Sequence, residues 1–194
     1  MNKVQTATSS DSAAVAIQRD GAVRAGLSGG GVFHVQCFDS EGNLKWEAEK
    51  HNLVVNVGLK DMNDKYFTGS SYTAAWYIGL YGAAASNDPA ASDTMASHAG
   101  WTEVTGYSQT TRPAATFTAA TTADPSVITN SGSAATFTIN ATVTVGGAFL
   151  TSDNTKGGTS GILFSASDFA APGDRAVVSG DTVTVTYTFS LDAA

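Results

Sequence analysis

Charged side chains are scarce in this sequence. Lys, Arg, Asp and Glu make up 14% of the 194 residues, against about 25% in an ordinary soluble domain. Thr, Ser, Ala, Gly and Asn must therefore occupy many surface positions. The formal net charge is -7, and from Tyr66 onward the only basic residues are Arg112, Lys156 and Arg175. That half lacks the basic footprint that binds nucleic-acid phosphates or an anionic membrane, so we expect neither partner.

Cysteine and long apolar runs are also lacking. Cys37 is the only cysteine, so an intrachain disulfide is impossible and an oxidising compartment is not implied. No stretch approaches the roughly 18 consecutive apolar residues of a transmembrane helix, and residues 1–20 contain no apolar run of signal-peptide length. We expect a protein that is made and assembled in a cytosol.

Histidine is sparse, and the pattern around it indicates no catalysis. His34, His51 and His98 are dispersed, and together with one cysteine they show no zinc-ligand spacing. His98 shares a loop with Ser92, Asp93 and Ser97. A hydrolase would need such a set, but no nucleophile-elbow pattern is present. A loop that hydrogen-bonds to itself is therefore favoured over a catalytic set.

The remaining candidates for chemistry are similarly weak. Asp153-Asn154 before Gly157-Gly158 resembles an oxygen-rich calcium loop without the EF-hand pattern, and such residues ordinarily hold a turn. The aromatic residues Tyr72, Trp76, Tyr77 and Tyr81 are consistent with a saccharide platform, although core packing is favoured. We predict that the protein is not an enzyme, has no catalytic, metal or cofactor-binding residues, and needs no cofactor.

The sequence is rich in short β-strand patterns. In Thr182–Phe189 every second residue is Thr, and the alternate apolar residues share one face. Residues 32–38 and 44–49 predict a hairpin around the turn at 39–43. Further strands are predicted at 72–81, 102–104, 115–118, 135–139, 142–145, 147–150, 162–164 and 176–178. Short strands separated by Gly, Pro and Asn turns indicate a sandwich or a barrel.

One short helix interrupts this β pattern. We predict a helix at 57–67, capped by Asn56 and ended by Gly69, with Met62 on its apolar stripe together with Val57 and Tyr66 or with Leu59 and Phe67. A single helical turn is predicted at 93–98. The predicted core residues are Phe33, Val35, Trp46, Trp76, Trp101, Val183, Val185 and Tyr187, and Cys37 is expected to be buried and inert.

The N-terminal residues differ in character from the rest. Residues 1–31 are polar and small and end in Ser28-Gly29-Gly30-Gly31, which predicts a flexible hinge. The sequence therefore divides into an extended or flexible arm, residues 1–31, and a β-sandwich domain, residues 32–194. Two interpretations of the arm stay open: a disordered terminus, or an arm that becomes ordered against a neighbouring subunit.

Several stretches together resemble a family of tailed-bacteriophage virion structural proteins, of the head decoration (cement) type. The resemblance covers residues 32–191 and is carried by residues 46–47, 52–58, 61–66, 74–80, 93–103, 107, 111–114, 146–150 and 180–183. It implies a jelly-roll-like antiparallel β-sandwich that adds to an assembled capsid as an oligomer. It carries over no functional residues.

The resemblance leads to a specific functional expectation. The chain is expected on the outer surface of the phage head, where it would bind the major capsid protein, self-associate as a dimer or trimer, and stabilise contacts between capsomers. The arm and the acidic Gly-rich loops are the expected contact regions. The alternative is a tail-fibre or baseplate module that takes part in host attachment.

Overall fold

The computed structural model describes residues 27–72, 75–82, 88–169 and 173–193. Within these residues the chain is mainly β, as predicted. The elements are β1 (Leu27–Phe38), β2 (Leu44–His51), β3 (Leu53–Val54), α1 (Asn56–Phe67), β4 (Tyr77–Gly82), β5 (Thr102–Glu103), β6 (Ser126–Thr129), a 3-10 turn (Ser131–Ser133), β7 (Ala135–Thr138), β8 (Val143–Val145), β9 (Gly147–Thr151), β10 (Leu163–Asp168), β11 (Arg175–Val177) and β12 (Thr182–Ala193).

The described strands form two five-stranded sheets and one two-stranded ribbon. Sheet A has the order β2-β1-β12, and the far edge of β12 pairs with both β6 and β7. Sheet B has the order β3-β10-β9-β4-β5, and β8 pairs with β11. The pairings are antiparallel, which confirms that part of the predicted fold class. The jelly-roll connectivity stays a prediction.

The two sheets enclose one main hydrophobic core. Its buried residues include Phe33, Val35, Cys37, Val183, Val185 and Tyr187 from sheet A and Ile78, Leu80, Ala148, Leu150 and Phe164 from sheet B. Full burial of a large apolar side chain stabilises the fold by about 1.5–3 kcal/mol. Of the predicted core residues, only Trp46 and Trp76 are no more than partly buried. Trp101 is buried in a second, smaller cluster.

The long pair of β1 and β12 is the centre of sheet A. All 12 residues of β1 pair with β12, from Leu27 opposite Ala193 to Phe38 opposite Thr182. The odd-numbered residues of both strands point to the core, because successive side chains of a strand alternate between faces. The predicted alternation in Thr182–Phe189 is thereby confirmed.

A buried asparagine lies between the end of β6 and the start of β7 and hydrogen-bonds to β12 there. Asn130 is fully buried, and its backbone N–H donates to the Tyr187 carbonyl at 3.2 Å. Its side-chain Oδ1 accepts from the Tyr187 N–H at 2.6 Å, and its Nδ2 donates to the Val185 carbonyl at 3.3 Å. The side chain thus replaces the backbone partners that β12 would otherwise lack there.

Glycines in sheet B make room for aromatic rings. Gly79 of β4 lies opposite Phe149 of β9, and Tyr81 lies opposite Gly147. A Cβ on either glycine would overlap the ring of its partner. Such rings cover the bare backbone of a glycine across a strand pair. Both rings also pack against Trp101, with centroids 5.2 Å away for Phe149 and 5.0 Å for Tyr81.

The predicted hinge at Ser28-Gly29-Gly30-Gly31 is wrong. All four residues belong to β1 and pair with β12, because a long partner strand outweighs the weak intrinsic β preference of glycine. The sandwich domain therefore begins by Leu27 and not at residue 32. The rest of the predicted arm, residues 1–26, lies outside the described residues.

The predicted helix is present, but its cap is wrong and its apolar stripe is right only in part, since Val57 and Met62 pack against the core clusters. Asn56 is the first helical residue, and Val55 precedes it without a side-chain cap hydrogen bond. The helix is buried at Gly58, where a Cβ would overlap the carbonyl oxygen of Phe164 in β10. Tyr66 and Phe67 are largely exposed. Close backbone contact through a glycine decided the orientation of the helix, and no apolar periodicity encodes such a contact.

Three other local predictions are corrected. Residues 93–98 form a turn closed by a bridge between Thr94 and Ser97 in place of a helical turn. Of the predicted strand 72–81, residues 77–81 are strand, and the described residues Tyr72, Ala75 and Trp76 are not. Residues 115–118 form no regular strand, since Ala115 N–H donates to the Trp76 carbonyl and Thr118 N–H donates to the Thr129 carbonyl, two partners on different elements.

Replacing Gly58 tests the contact between α1 and β10. In an exposed helix, Gly→Ala stabilises by about 1 kcal/mol. We expect Gly58→Ala to lower the free energy of unfolding by about 1–3 kcal/mol instead, because the methyl group overpacks against Phe164. Urea unfolding measures the change. Gly132→Ala is the control, because nothing lies within 4 Å of its added methyl group. Equal effects of the two changes would contradict the close contact.

Candidate functional site

The loop around His98 hydrogen-bonds to itself. Asp93 is buried, and its Oδ2 accepts from Trp101 Nε1 at 3.2 Å and from the Ala90 N–H at 3.0 Å. The His98 ring stacks on Trp101 with centroids 3.7 Å apart, and its Nδ1 lies 3.0 Å from the Trp101 carbonyl oxygen. Asp93 and His98 thus both contact Trp101, an arrangement that holds the loop.

A buried arginine holds the loop that resembles a calcium site. The Arg112 Nε and Nη2 donate to the two Glu103 carboxylate oxygens at 2.9 and 2.7 Å. Its Nη1 and Nη2 also donate to the carbonyls of Asp153 and Gly158 at 2.8 and 2.7 Å. Hydrogen bonds from Thr155, more than the Arg112 charge, lower the pKa of the Asp153 carboxyl. These loop oxygens therefore accept hydrogen bonds that hold the loop, which agrees with the interpretation of Asp153 as a turn residue.

Cys37 is buried, as predicted. Its Sγ lies 4.0 Å from Asp181 Oδ2, and Asp181 also accepts from Lys45 Nζ at 2.5 Å. Burial, followed by the charge of Asp181, raises the pKa of the Cys37 thiol to about 11. A thiol that stays protonated is a poor nucleophile.

Among the described residues, no group of three or more His, Cys, Asp or Glu is arranged to hold a metal ion. No described helix has the length and apolar character needed to cross a membrane.

The four aromatic residues proposed as a saccharide platform or as core differ in how deeply they are buried. Tyr81 is fully buried, whereas Tyr72 is exposed over 53% of its surface. Trp76 lies between them in exposure. Its ring packs edge-on against Phe164 at 5.4 Å, and its Nε1 donates to the Tyr72 hydroxyl at 2.8 Å. The core interpretation holds for Tyr81, but Tyr72 and part of Trp76 lie at the surface.

These two residues belong to an apolar groove at one end of the sandwich, which we call the end groove. It has a volume of about 520 Å³. Its apolar lining consists of Leu27, Met62, Tyr66, Phe67, Tyr72, Trp76 and Leu191, and its polar rim of Asp61, Asn63 and Lys65. Tyr66, Phe67 and Leu27 keep 83, 76 and 73% of their surface exposed. Clustered exposed apolar side chains mark interaction sites in soluble proteins.

The end groove exists because sheet A extends past its cover. Leu27 is an even number of residues from the core residue Phe33 on β1, and Leu191 is an even number of residues from the core residue Tyr187 on β12. Both leucines therefore lie on the inner face of the sheet. They are nevertheless exposed and half-buried, respectively. Beyond the end of the covering layer, the inner face of β1 and β12 therefore continues as an open apolar surface.

A smaller apolar cavity lies directly behind the end groove. It has a volume of about 170 Å³ and shares Met62, Tyr72 and Trp76 with the groove. Tyr187 lines its inner end, where the hydroxyl accepts from Asn52 Nδ2 at 2.7 Å. Burial raises the pKa of Tyr187, so this hydroxyl stays neutral. The groove thus leads into the hydrophobic core.

Lys65 ties the rim of the end groove together. Its Nζ donates to the Ser71 carbonyl at 2.7 Å, lies 4.0 Å from Asp61 Oδ1, and sits 5.9 Å from the centroid of the Tyr72 ring. These contacts connect the end of α1 to the segment that carries Tyr72. They hold one wall of the groove in place.

The predictions from sequence found the components of the groove without locating it. The sequence indicates Tyr72 and Trp76 as a candidate surface platform and Tyr66, Phe67 and Met62 as members of an apolar stripe. It places Leu27 in the arm and gives Leu191 no role. The missing signal was the register of β1 with β12, which brings these two leucines to the same end of the sheet.

No protein-family model, no curated protein and no solved structure matches this chain.

Removal of the Arg112 charge tests whether this side chain holds the loop at residues 153–158. Arg112→Met leaves the Glu103 carboxylate, whose side chain is only 9% exposed, without its cationic partner, and we expect a loss of about 3–5 kcal/mol in the free energy of unfolding. Urea unfolding measures the loss. Lys60→Met is the control, because it removes the cation of the exposed pair Lys60–Asp64, and we expect little change. A similarly small effect at Arg112 would show that the loop does not depend on it.

Asp168 makes stability depend on pH. Desolvation, followed by the charges of Asp88 and Asp174, raises the pKa of its carboxyl. The unfolded chain therefore loses this proton more readily, so ionisation of Asp168 lowers stability as pH rises above its ordinary pKa of 3.8. We expect Asp168→Asn to raise the melting temperature at pH 7, with a gain that shrinks as the pH falls towards 4. Thermal unfolding across this range measures it.

The exposed Asp192 supplies the control for that experiment. Asp192→Asn makes the same change in net charge at an exposed position, so it measures the effect of the lost charge alone, and the gain at Asp168 should exceed it. A gain at Asp168 that stayed constant across the range would contradict the ionisation argument.

Proposed function

We propose that this chain is a non-enzymatic virion protein of a tailed bacteriophage that binds the outer surface of the assembled head. In this role it contacts the major capsid protein, self-associates, and stabilises the contacts between capsomers. The resemblance of residues 32–191 to head decoration proteins supports the location. The observation that carries the binding role is the end groove, an exposed apolar surface that needs a macromolecular partner.

The outer face of sheet A also supports a role in assembly. Thr184, Thr186 and Thr188 of β12 lie there and are half-buried, and their neighbours on β1 include Gln36 and His34. Uncharged side chains such as these threonines have a low desolvation cost on binding, and the charged Glu47 and Glu49 of this face lie on the outer strand β2. Many copies on a shell also bind by multivalency, so each contact needs only modest affinity.

A tail-fibre or baseplate module for host attachment is the second candidate. One observation favours it: Tyr72 and Trp76 lie side by side at the surface, joined by a hydrogen bond. Aromatic rings with a polar edge are suited to saccharide contacts. The volume and the shape of the end groove permit an extended protein segment as well as a saccharide.

The location on the virion tests the proposal. We expect gold-labelled antibody against this chain to decorate the heads of intact virions in electron micrographs. We also expect purified protein to bind heads that lack it and to raise their temperature of disruption. Label on the tail, together with a positive result in a glycan-array screen, would support host attachment instead. Absence of the chain from virions would contradict both candidates.

A further inference from the structure

The end groove adjoins a strand edge that is open among the described residues. The partner of β1 on this side, β2, begins its pairing at Val32 opposite His51. One residue further out, Gly31 is still satisfied on this edge, because its N–H donates to Asn52 Oδ1 at 2.6 Å and its carbonyl accepts from the Asn52 N–H at 2.8 Å. Beyond Gly31, β1 continues to Leu27, and among the described residues only β12 pairs with it there.

The orientation of the backbone along this edge follows from the alternation of an antiparallel strand. Since Gly31 directs its N–H and C=O towards Asn52, Gly29 directs its own in the same direction. Gly29 is exposed, and a Cβ on Gly30 would meet nothing within 4 Å. The edge therefore offers backbone hydrogen-bonding groups next to an apolar groove. An extended peptide uses both features when it adds a strand to a sheet.

We propose that the end groove binds the N-terminal segment of a second copy of this chain, with the apolar run Ala13–Ile17 in the groove and its backbone along the edge of β1. This inference rests on the self-association included in the proposed function, and it names the surface and the segment that mediate it. It is independent of the location on the head.

The composition of the N-terminal segment fits the surface that it would bind. Ala13-Ala14-Val15-Ala16-Ile17 is the apolar run within residues 1–26, which precede Leu27. Residues 1–26 carry a net charge of +1. Because the net charge of the whole chain is -7, the remaining residues carry a net charge of -8. The segment and the domain are therefore complementary in charge, which favours their encounter.

The length of chain before Leu27 permits contact with a neighbouring copy. Leu27 pairs with Ala193 at the outer end of sheet A. Nine residues lie between Ile17 and Leu27, and the ten chain steps, at about 3.3–3.6 Å each, span at most roughly 35 Å. That length exceeds the radius of gyration of a domain of this size, about 15 Å. A tether of this length can bring the apolar run to an adjacent copy, and an exchange of arms closes as a dimer or as a trimer.

The test uses two full-length variants, each of which removes one half of the contact. Val15→Ser with Ile17→Ser removes the apolar side chains of the arm. Tyr66→Ser with Phe67→Ser removes those of the groove, and both positions are exposed, so the fold is retained; circular dichroism checks it. Sedimentation velocity over a range of concentrations gives the mass. We expect the unchanged chain to be a dimer or trimer, and each variant to associate at least about tenfold more weakly.

Mixing the two variants identifies the exchange. The arm variant keeps an intact groove and the groove variant keeps an intact arm, so the mixture should recover association that neither variant shows alone. Leu44→Ser, which removes an exposed apolar side chain from β2, is the control and should leave the mass unchanged. A mixture that stays monomeric would overturn the exchange. A monomeric unchanged chain at tens of micromolar, or association that is unaffected by either variant, would also overturn it.

These results stand apart from those on virions. Absence of self-association in the unchanged chain, together with labelling of heads, would refute the exchange and leave the proposed location intact. Self-association by this route without labelling of heads would support the exchange and contradict the proposed location.

Discussion

The pairing of β1 with β12 is the constraint on which the rest of the structure depends. It joins the two ends of the described chain over 12 residues of each strand, and its register decides which side chains enter the core. A slip of one residue would turn Phe33, Val35, Val183 and Val185 to the outer face. The same pair extends beyond its cover, so it creates both the inner core and the open end groove.

The polar groups in the interior are used to support this framework. Asn130 completes the ladder of β12, Arg112 holds the loop at 153–158, and Asp93 fastens the loop around Trp101. Each of these side chains is buried and hydrogen-bonded within the chain. Their arrangement explains why the motifs that resemble catalytic or calcium-binding loops have a structural role.

The surface features point towards contacts between proteins. The end groove combines exposed aromatic side chains with an edge of β1 that is open among the described residues, and the outer face of β12 carries a row of half-buried threonines. Two sites of contact on one small domain suit a protein that binds a lattice and also its own neighbours. The proposed exchange of arms would cover an apolar surface that is otherwise costly to expose, and it would link copies across a shell.

Much of the β framework could be predicted from the sequence. The hairpin of β1 and β2, the alternation in β12 and the short strands after residue 130 follow from periodicity and turn residues. These signals are local, because a strand with one buried face repeats its apolar residues every second position. The short β6 and β3 were missed, because two to four residues carry too little pattern.

The candidate site depended on contacts that are distant in sequence. The sequence by itself determined that the chain is β-rich, poor in charge and without a recognisable catalytic motif, since composition and local period express these properties directly. Only the tertiary structure decided that Gly29 and Gly30 are strand residues, that Gly58 sets the packing of α1, and that Leu27 and Leu191 line one groove with Tyr66. The physical reason is that strand register and backbone contact join residues far apart in the chain, and no local pattern encodes either one.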